Sequence, residues 1–209
     1  MIKTIYIIRH GETDLNKQGI VQGRGMDTSL NAKGQEQAEA FYRAYKHIPF
    51  DKIYTSTLKR THQTVQKFID QNIPWIQYPG LDELGWGIHE GKENTHEISA
   101  EFSELIHKWR TGELHHKIEN GESPLEVKER QLIVLEHLIE TNDDQNILIC
   151  MHGRAMRLFL CLLTGTPLSE MDNFPHSNTT LYKLEYDGEK FHILDFNNTN
   201  HLNYPFDQF

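Results

Sequence analysis

Short apolar runs alternate along the chain with segments in which apolar residues recur every three or four positions. The runs are rich in β-branched and aromatic residues and predict strands at residues 5–8, 52–55, 75–78, 146–151, 180–186 and 191–196, the last two flanking an Asp187-Gly188 hairpin turn. The periodic segments predict helices at residues 32–45, 58–72 and 154–163, and one that starts at Ser123-Pro124 and ends before Asp143. This alternation favours an α/β fold of three layers (α/β/α), with helices on both faces of a mainly parallel central sheet.

The chain departs from this alternation in three places. Residues 16–30 are rich in Gly, Asn, Gln and Asp, which predicts a loop. Residues 86–120 contain several glycines and then a polar, weakly amphipathic segment, and we predict that they form a helical insertion capping the site. The tail 197–209 is polar with interspersed aromatics, and it either packs on the domain or frays. Since no repeat or low-complexity linker interrupts the pattern, we expect one domain over residues 1–209.

The composition fits a soluble globular protein with an acidic charge balance. The 209 residues are 37% hydrophobic and 24% charged, with a formal net charge of −9. This balance argues against binding to nucleic acid or to an anionic membrane, because both require a basic face. Cys150 and Cys161 lie in apolar contexts and predict reduced thiols in the core. With neither a leader peptide nor an apolar stretch long enough to cross a bilayer, we expect a cytoplasmic protein.

Polar residues suited to phosphate chemistry follow three of the predicted strands. Arg9-His10-Gly11 follows the first strand, Ser56 and Arg60 follow the second, and His152-Gly153 follows the strand at residues 146–151. The carboxyl ends of parallel strands open on one edge of a sheet, which is where ligands bind in α/β proteins. Arginine offers a planar fork of donors to phosphate oxygens, and histidine can act as nucleophile or base. The sequence therefore predicts a phosphate pocket at this edge.

These motifs, in this order and at this spacing, resemble those of the histidine phosphatase superfamily, also called phosphoglycerate mutase-like. The resemblance covers most of the chain. It is carried by Arg9-His10-Gly11-Glu12-Thr13, Asn16, Gly19, Gln22, Gly23, Leu30, Gly34, Gln37, Ala38, Ser56, Leu58, Arg60, Thr64, Asp82-Glu83-Leu84 and Met151-His152-Gly153.

The resemblance implies a role for each site residue. His10 would be the nucleophile and would form a phosphohistidine, with its other ring nitrogen held by a hydrogen bond, commonly to a backbone carbonyl. Glu83 would protonate the leaving group and then activate water. The transferred phosphoryl group would be held by Arg9, Asn16, Arg60, Gly153 and His152. His152 would be protonated for this, which the negative charge of the phosphate itself favours. Gln22, Gly23 and Trp86 are weaker candidates for substrate contact.

The loop after Glu83 favours a phosphatase over a mutase. Mutases of the phosphoglycerate type carry an arginine and then a Tyr-Gly-x-Leu-x-Gly-Leu-Asn-Lys stretch there, and residues 83–92 lack that pattern. They look more like the Gly-x-x-Glu-Gly loop of the family's small phosphatases, and residues 121–123 resemble the Gly-Glu-Ser block of those phosphatases. We therefore predict a metal-independent hydrolase of a small phosphorylated metabolite that requires no cofactor. The alternative is a phosphoglycerate mutase dependent on 2,3-bisphosphoglycerate.

Two rival functions and one assembly question stay open. Thirteen histidines invite a metal-dependent hydrolase, but the chain has no H-E-x-x-H motif and no paired Cys-x-x-Cys, so we predict no metal. A catalytically inactive phosphate-binding scaffold is the rival of another class, although a scaffold would be expected to have lost His10, an arginine or Glu83. A homodimer through an edge strand or the aromatic tail is compatible with the sequence, which gives no direct sign of it.

Overall fold

A six-stranded sheet runs through the centre of the protein. We analysed a computed structural model that describes residues 2–140 and 144–203. The strands lie in the order β3-β2-β4-β1-β5-β6. The first four in this order are parallel, whereas β5 is antiparallel to β1 and β6 is antiparallel to β5. The mainly parallel sheet predicted from the sequence is therefore confirmed. The strands are β1 Lys3–Arg9, β2 Lys52–Thr55, β3 Trp75–Gln77, β4 Asn146–Met151, β5 Leu181–Tyr186 and β6 Phe191–Asn198.

Helices cover both faces of this sheet, as the alternating pattern predicted. They are α1 Asp14–Gln18, α2 Ala32–Tyr45, α3 Lys59–Ile69, α4 His96–Arg110, α5 Pro124–Glu140 and α6 Gly153–Thr164. Tyr6 and Ile8 of β1 pack with the apolar side chains of α2 and α3, and Ile5 and Ile7 pack with those of α5 and α6. Successive residues of a strand point to opposite faces, so the continuous apolar run of β1 fills both layers of the core.

Most element boundaries agree with the sequence pattern within a few residues. Asn31 caps α2 through its side chain, as its position before the periodic segment suggested, and Gly165 ends α6 in the left-handed conformation. The Asp187-Gly188 turn joins β5 to β6, with Gly188 at φ 107°. Cys150 and Cys161 are buried and free. The predicted end of α5 before Asp143 and the tail beyond residue 203 lie outside the described residues.

The prediction of a loop over residues 16–30 is wrong at its start, because a short helix, α1, begins at Asp14. Thr13 and Asn16 form a reciprocal capping box at its amino end. The helix buries none of its residues, and so it lacks the apolar periodicity by which helices are found in a sequence.

The insertion at residues 86–120 contains a real helix, α4, with an aromatic centre. Trp109 is almost fully buried, and its ring stacks on Trp86 at a centroid distance of 6.1 Å. Phe102 meets Trp86 edge-on at 5.0 Å. Across residues 2–140 and 144–203, no helix combines the length and the apolar character that crossing a membrane requires.

Candidate active site

The three polar strand ends predicted from the sequence lie side by side. Strand β4 pairs with β1 on one side and with β2 on the other, all in parallel. Their carboxyl ends therefore bring His10, Ser56 and His152 to one edge of the sheet. The rings of His10 and His152 have centroids 5.1 Å apart, and both residues are buried. The topology thus assembles the pocket from segments that are about 140 residues apart in the chain.

The His10 ring is held in one orientation by its own neighbour. Its Nδ1 lies 2.7 Å from the carbonyl oxygen of Gly11, so Nδ1 carries the proton and donates it to this bond. Burial, followed by the charges of Arg60 and Arg9, holds the pKa of His10 well below its ordinary value of 6.5. The ring is therefore neutral, and its Nε2 atom presents an unprotonated lone pair.

Arg60 and His152 form a buried pair beside His10. The Nε atom of Arg60 donates to Nδ1 of His152 at 3.1 Å, and its terminal nitrogens donate to the carbonyl oxygens of Met26 and Gly23. On its other side, His152 places Nε2 at 2.7 Å from Oγ of Ser56. The pKa of Arg60 is lowered to about 10, and burial is the largest cause of this shift. The guanidinium is still charged near neutral pH.

The protonation of His152 expected from the sequence refers to a site with phosphate bound, and it stays a prediction. Nδ1 of His152 accepts a hydrogen bond from Arg60, so it cannot carry a proton in this arrangement, and Nε2 holds the one proton of a neutral ring. Burial and then the charge of Arg60 keep the pKa of His152 well below 6.5. A protonated His152 would therefore need the negative charge of a bound phosphate to offset burial and the charge of Arg60.

Arg9 and Asn16 flank the histidines at the end of β1 and in α1. The Nε atom of Arg9 is enclosed and has no hydrogen-bond partner within the described part of the chain. The side-chain oxygen of Asn16 accepts from the Thr13 backbone and from Nδ2 of Asn178, which also donates to the carbonyl oxygen of His10. These contacts leave donors of Arg9 and Asn16 available to an anionic ligand.

Glu83 is bound to the amino end of the helix that begins with the residue after His152. Its carboxylate accepts from the backbone nitrogens of Leu84 and Ala155, both at 2.9 Å, and from that of Arg154 at 3.2 Å. Backbone N–H groups at the start of a helix favour a negative charge. The charge of the Glu83 carboxylate also acts on Arg9 in the pocket. It raises the pKa of Arg9 and so opposes burial, which lowers that pKa and is the larger effect.

The weaker candidates are distributed around this centre. With its amide oxygen turned toward Arg60, Gln22 accepts from Nε of Arg60 at 2.8 Å. Gly23 offers its carbonyl oxygen to the same guanidinium. Gly153 begins α6 and packs directly on His176, since a Cβ at Gly153 would lie 2.4 Å from that ring. Trp86 packs within the insertion, and its predicted substrate contact stays a prediction.

Several residues near the pocket were not found by sequence reasoning. Asn178 and His176 lie in the loop before β5, Arg154 and Arg157 lie on α6, and Asp172 lies in a short 3-10 helix. Asp82, in contrast, was matched only as part of a motif, yet it accepts from the backbone and hydroxyl of Thr57, both at 2.8 Å. For these residues the sequence offered one signal: Arg154 and Arg157 follow His152 at helical spacing, so they share one face of the helix.

Among the described residues, side chains that could bind a metal are scattered. Across residues 2–140 and 144–203, no group of three or more His, Cys, Asp and Glu side chains is arranged to hold an ion. The polar side chains of the insertion instead pair locally: Lys108 with Glu104, His116 with Glu113, and Lys117 with Glu126. Their pairing fits an exposed polar face.

Comparison with known proteins identifies the family. The family model described as histidine phosphatase superfamily (branch 1) matches residues 5–199, so the chain belongs to this superfamily. The chain is 29% identical over 205 residues to phosphoserine phosphatase 1 of Hydrogenobacter thermophilus, covering 97% of this chain and 95% of that protein.

Solved structures of similar proteins share the fold. The crystal structure of a phosphoserine phosphatase from Entamoeba histolytica in complex with 3-phosphoglyceric acid matches with a TM-score of 0.80 at 27% identity, covering 96% of this chain and 99% of that one. The α-ribazole phosphatase of Shigella flexneri matches with a TM-score of 0.82 at 26% identity, covering 93% and 96% of the two chains. The sequence-based assignment of family and fold is therefore confirmed.

Proposed function

We propose that this protein is a phosphomonoesterase that acts through a phosphohistidine on His10. The observation that carries the proposal is the bond from Nδ1 of His10 to the Gly11 carbonyl at 2.7 Å. It fixes the tautomer in which Nε2 is the nucleophilic atom, while burial and two arginines keep the ring neutral. Similar proteins named as phosphatases support hydrolysis as the reaction.

The first half of the reaction transfers the phosphoryl group to the enzyme. The lone pair of His10 Nε2 forms a bond to phosphorus as the bond from phosphorus to the ester oxygen breaks. Glu83 supplies a proton to that oxygen, so the leaving group departs as an alcohol. Arg9, Arg60 and Asn16 bind the non-bridging oxygens, over which the transition state spreads its negative charge.

The second half returns the enzyme to its starting state. Glu83, now ionised, takes a proton from water, and the resulting hydroxide attacks phosphorus as the bond to Nε2 breaks. The products are inorganic phosphate and a neutral His10, so the step needs no further reactant. Our proposal therefore includes no metal and no cofactor, and the substrate is a small phosphate ester.

The decisive experiment measures phosphate release and mutase activity side by side. The purified protein is incubated in EDTA with a panel of phosphate monoesters, and with 3-phosphoglycerate plus a trace of 2,3-bisphosphoglycerate. His10→Ala should lose at least about 10³-fold in phosphate release. The matched control is His47→Ala, since His47 is exposed. Labelling with a radioactive ester should give an acid-labile protein phosphate that is absent from His10→Ala.

Each other result would count against the proposal. Formation of 2-phosphoglycerate faster than phosphate release would establish the mutase alternative. Phosphate release that survives in His10→Ala, or that appears only when metal is added, would rule out the mechanism. No reaction and no labelling with any ester of the panel would favour the inactive phosphate-binding scaffold.

A further inference from the structure

A second group of polar side chains lies next to the phosphate pocket. We call it the arginine cluster, and it consists of the guanidinium groups of Arg154 and Arg157, which both contact Asp172, and the neutral ring of His176. Nη1 of Arg154 lies 2.8 Å from Oδ1 of Asp172, and Nη1 of Arg157 contacts the same oxygen. Nε of Arg110 pairs with Oδ2 at 2.9 Å. Asp172 and Glu83, whose charges both act on Arg154, thus supply two negative charges against the three guanidinium groups that contact Asp172.

The arginine cluster borders the catalytic residues directly. The backbone nitrogen of Arg154 lies 3.2 Å from Oε2 of Glu83. His176 packs against Gly153, the residue that follows His152, and leaves no room for a Cβ there. Burial and then the charges of Arg9 and Arg157 lower the pKa of His176 to about 2, so His176 stays neutral. The arginine cluster therefore lies beside the carboxylate that, in the proposed mechanism, protonates the leaving oxygen.

Buried polar atoms in and beside this cluster lack partners. Nε of Arg9, Nε of Arg157 and Nδ1 of His176 are all enclosed without a hydrogen bond among the described residues. Buried polar groups are nearly always satisfied, and orphaned ones commonly mark the position of a ligand or water. Nε of Arg9 belongs to the phosphate pocket, so Nε of Arg157 is the orphaned guanidinium donor of the cluster, and a buried charged donor of this kind favours an anionic acceptor.

The side chains of Arg154 and Arg157 are also held in place. Each is 18% exposed. The guanidinium carbon of Arg154 lies 5.8 Å from the centroid of the Trp109 ring, so the insertion supports it. Arg110, by contrast, is 62% exposed at its side chain. Fixed, largely buried arginines lose little conformational entropy when they bind an anion.

We propose that Arg154, Arg157 and His176 form a subsite for a second anionic group, a carboxylate or a second phosphate, on the substrate. This inference rests on the proposed function, because it takes the ester phosphate to lie at His10. The preferred substrates are then phosphate monoesters with an additional negative charge a few bonds from the ester oxygen. Esters without that charge leave the surplus of the cluster uncompensated.

The test compares substrates that differ only in this group. 3-Phosphoglycerate is paired with glycerol 3-phosphate, in which a hydroxymethyl group replaces the carboxylate. Propane-1,3-diol bisphosphate is paired with the monophosphate of the same diol. We expect kcat/KM of the wild type to be about tenfold higher or more for at least one dianionic member. The pair that shows the preference distinguishes a carboxylate from a second phosphate.

Variants of the cluster should remove this preference. Arg154→Gln keeps the backbone bond to Glu83 but loses a cation, so the ratio of kcat/KM within the pair should fall toward one. The matched control is Arg110→Gln, which also removes an Asp172 partner but leaves the ratio as in the wild type. Equal ratios in the wild type for both pairs, or a ratio that Arg154→Gln leaves unchanged, would overturn the subsite.

Binding measured without turnover separates this proposal from the proposed function. Calorimetry on His10→Ala should show tighter binding of 3-phosphoglycerate than of glycerol 3-phosphate, or the same order for the bisphosphate pair. This difference should be lost when Arg154→Gln is added. If the difference appears while the wild type hydrolyses nothing, the proposed function fails and the subsite stands. If esters are hydrolysed and neither pair differs in binding, the subsite fails alone.

Discussion

The Nε atom of Arg60 lies 3.1 Å from Nδ1 of His152, and this bond decides where the protons of the site are held. It makes the Nδ1 atom of His152 an acceptor and leaves the single proton of the ring on Nε2, facing Ser56. The Arg60 charge also lowers the pKa of the neighbouring His10, second only to burial. Burial is the largest cause that lowers the pKa of each histidine, and the charge of Arg60 is the second for both.

The first prediction concerns pH. His10 must be neutral to attack, and its pKa lies well below 6.5. We therefore expect kcat/KM of the wild type to show no loss from His10 protonation as the pH falls through 6.5, with that loss appearing only at lower pH. Arg60→Gln removes a charge that disfavours imidazolium, so the acid limb should move to higher pH. The pH profile of kcat/KM measures this.

The control is an NMR titration of the labelled imidazole groups without substrate, so that ionisation of the substrate cannot contribute to the result. The His10 signal should titrate at higher pH in Arg60→Gln than in the wild type. A wild-type His10 that titrates near 6.5, or an acid limb that Arg60→Gln leaves in place, would contradict the electrostatic role of Arg60.

The second prediction concerns Ser56. Its Oγ accepts from Nε2 of His152 at 2.7 Å and from the backbone nitrogen of Leu58 at 3.1 Å. Ser56→Ala leaves both buried donors unsatisfied, so the free energy of unfolding should fall by about 1–3 kcal/mol. Denaturant unfolding measures the loss, and kcat should fall as well. Ser103→Ala, at an exposed position of α4, is the control and should change neither quantity appreciably.

The third prediction concerns the close packing of α2 on the segment after His10. A Cβ at Gly34 would lie 2.1 Å from the backbone oxygen of Glu12, far inside normal contact. Gly34→Ala must therefore displace residues 11–12, and we expect a loss of about 1–3 kcal/mol in the free energy of unfolding. Because Gly11 also orients His10, kcat should fall. Gln35→Ala, one residue further along the same helix and exposed, tests whether the effect is local.

The sequence was a sufficient guide wherever an apolar pattern marked an element. The buried runs of β1 and β4 identified the central strands, and the parallel arrangement then placed His10 and His152 together. Helix α1 was not predicted because it buries none of its residues and is held by local polar bonds such as the Thr13–Asn16 capping box. Local polar bonds of this kind leave no periodicity to read.

The residues of the arginine cluster and their partner Asp172 were harder to predict, again because no apolar pattern marks them. Asp172 and His176 lie in irregular segments, and only the folded chain brings them to Arg154 and Arg157. The hydrogen-bond partners of His152 were also beyond sequence reasoning. A motif identifies which side chains meet, whereas the charge that each one carries depends on burial and on its neighbours.

The last prediction concerns the two proton transfers assigned to Glu83. With an alkyl phosphate, the leaving oxygen needs a proton, so Glu83→Gln should lower kcat by roughly 10²–10⁴-fold. With p-nitrophenyl phosphate, the leaving group departs as an anion, and phosphorylation of His10 should slow by only about tenfold or less. Hydrolysis of the phosphohistidine still needs a base to activate water, so this second step should slow in Glu83→Gln with either substrate.

The two effects together predict a burst. Rapid mixing of Glu83→Gln with p-nitrophenyl phosphate should release nitrophenol equal to the enzyme concentration and then continue slowly, because the phosphohistidine accumulates. Glu93→Gln, an exposed position nearby, should behave as the wild type. Equal losses with both substrates and no burst would show that Glu83 holds α6 in place through the Ala155 backbone without transferring protons. A burst that disappears in the double variant with His10→Ala would assign the trapped phosphate to His10.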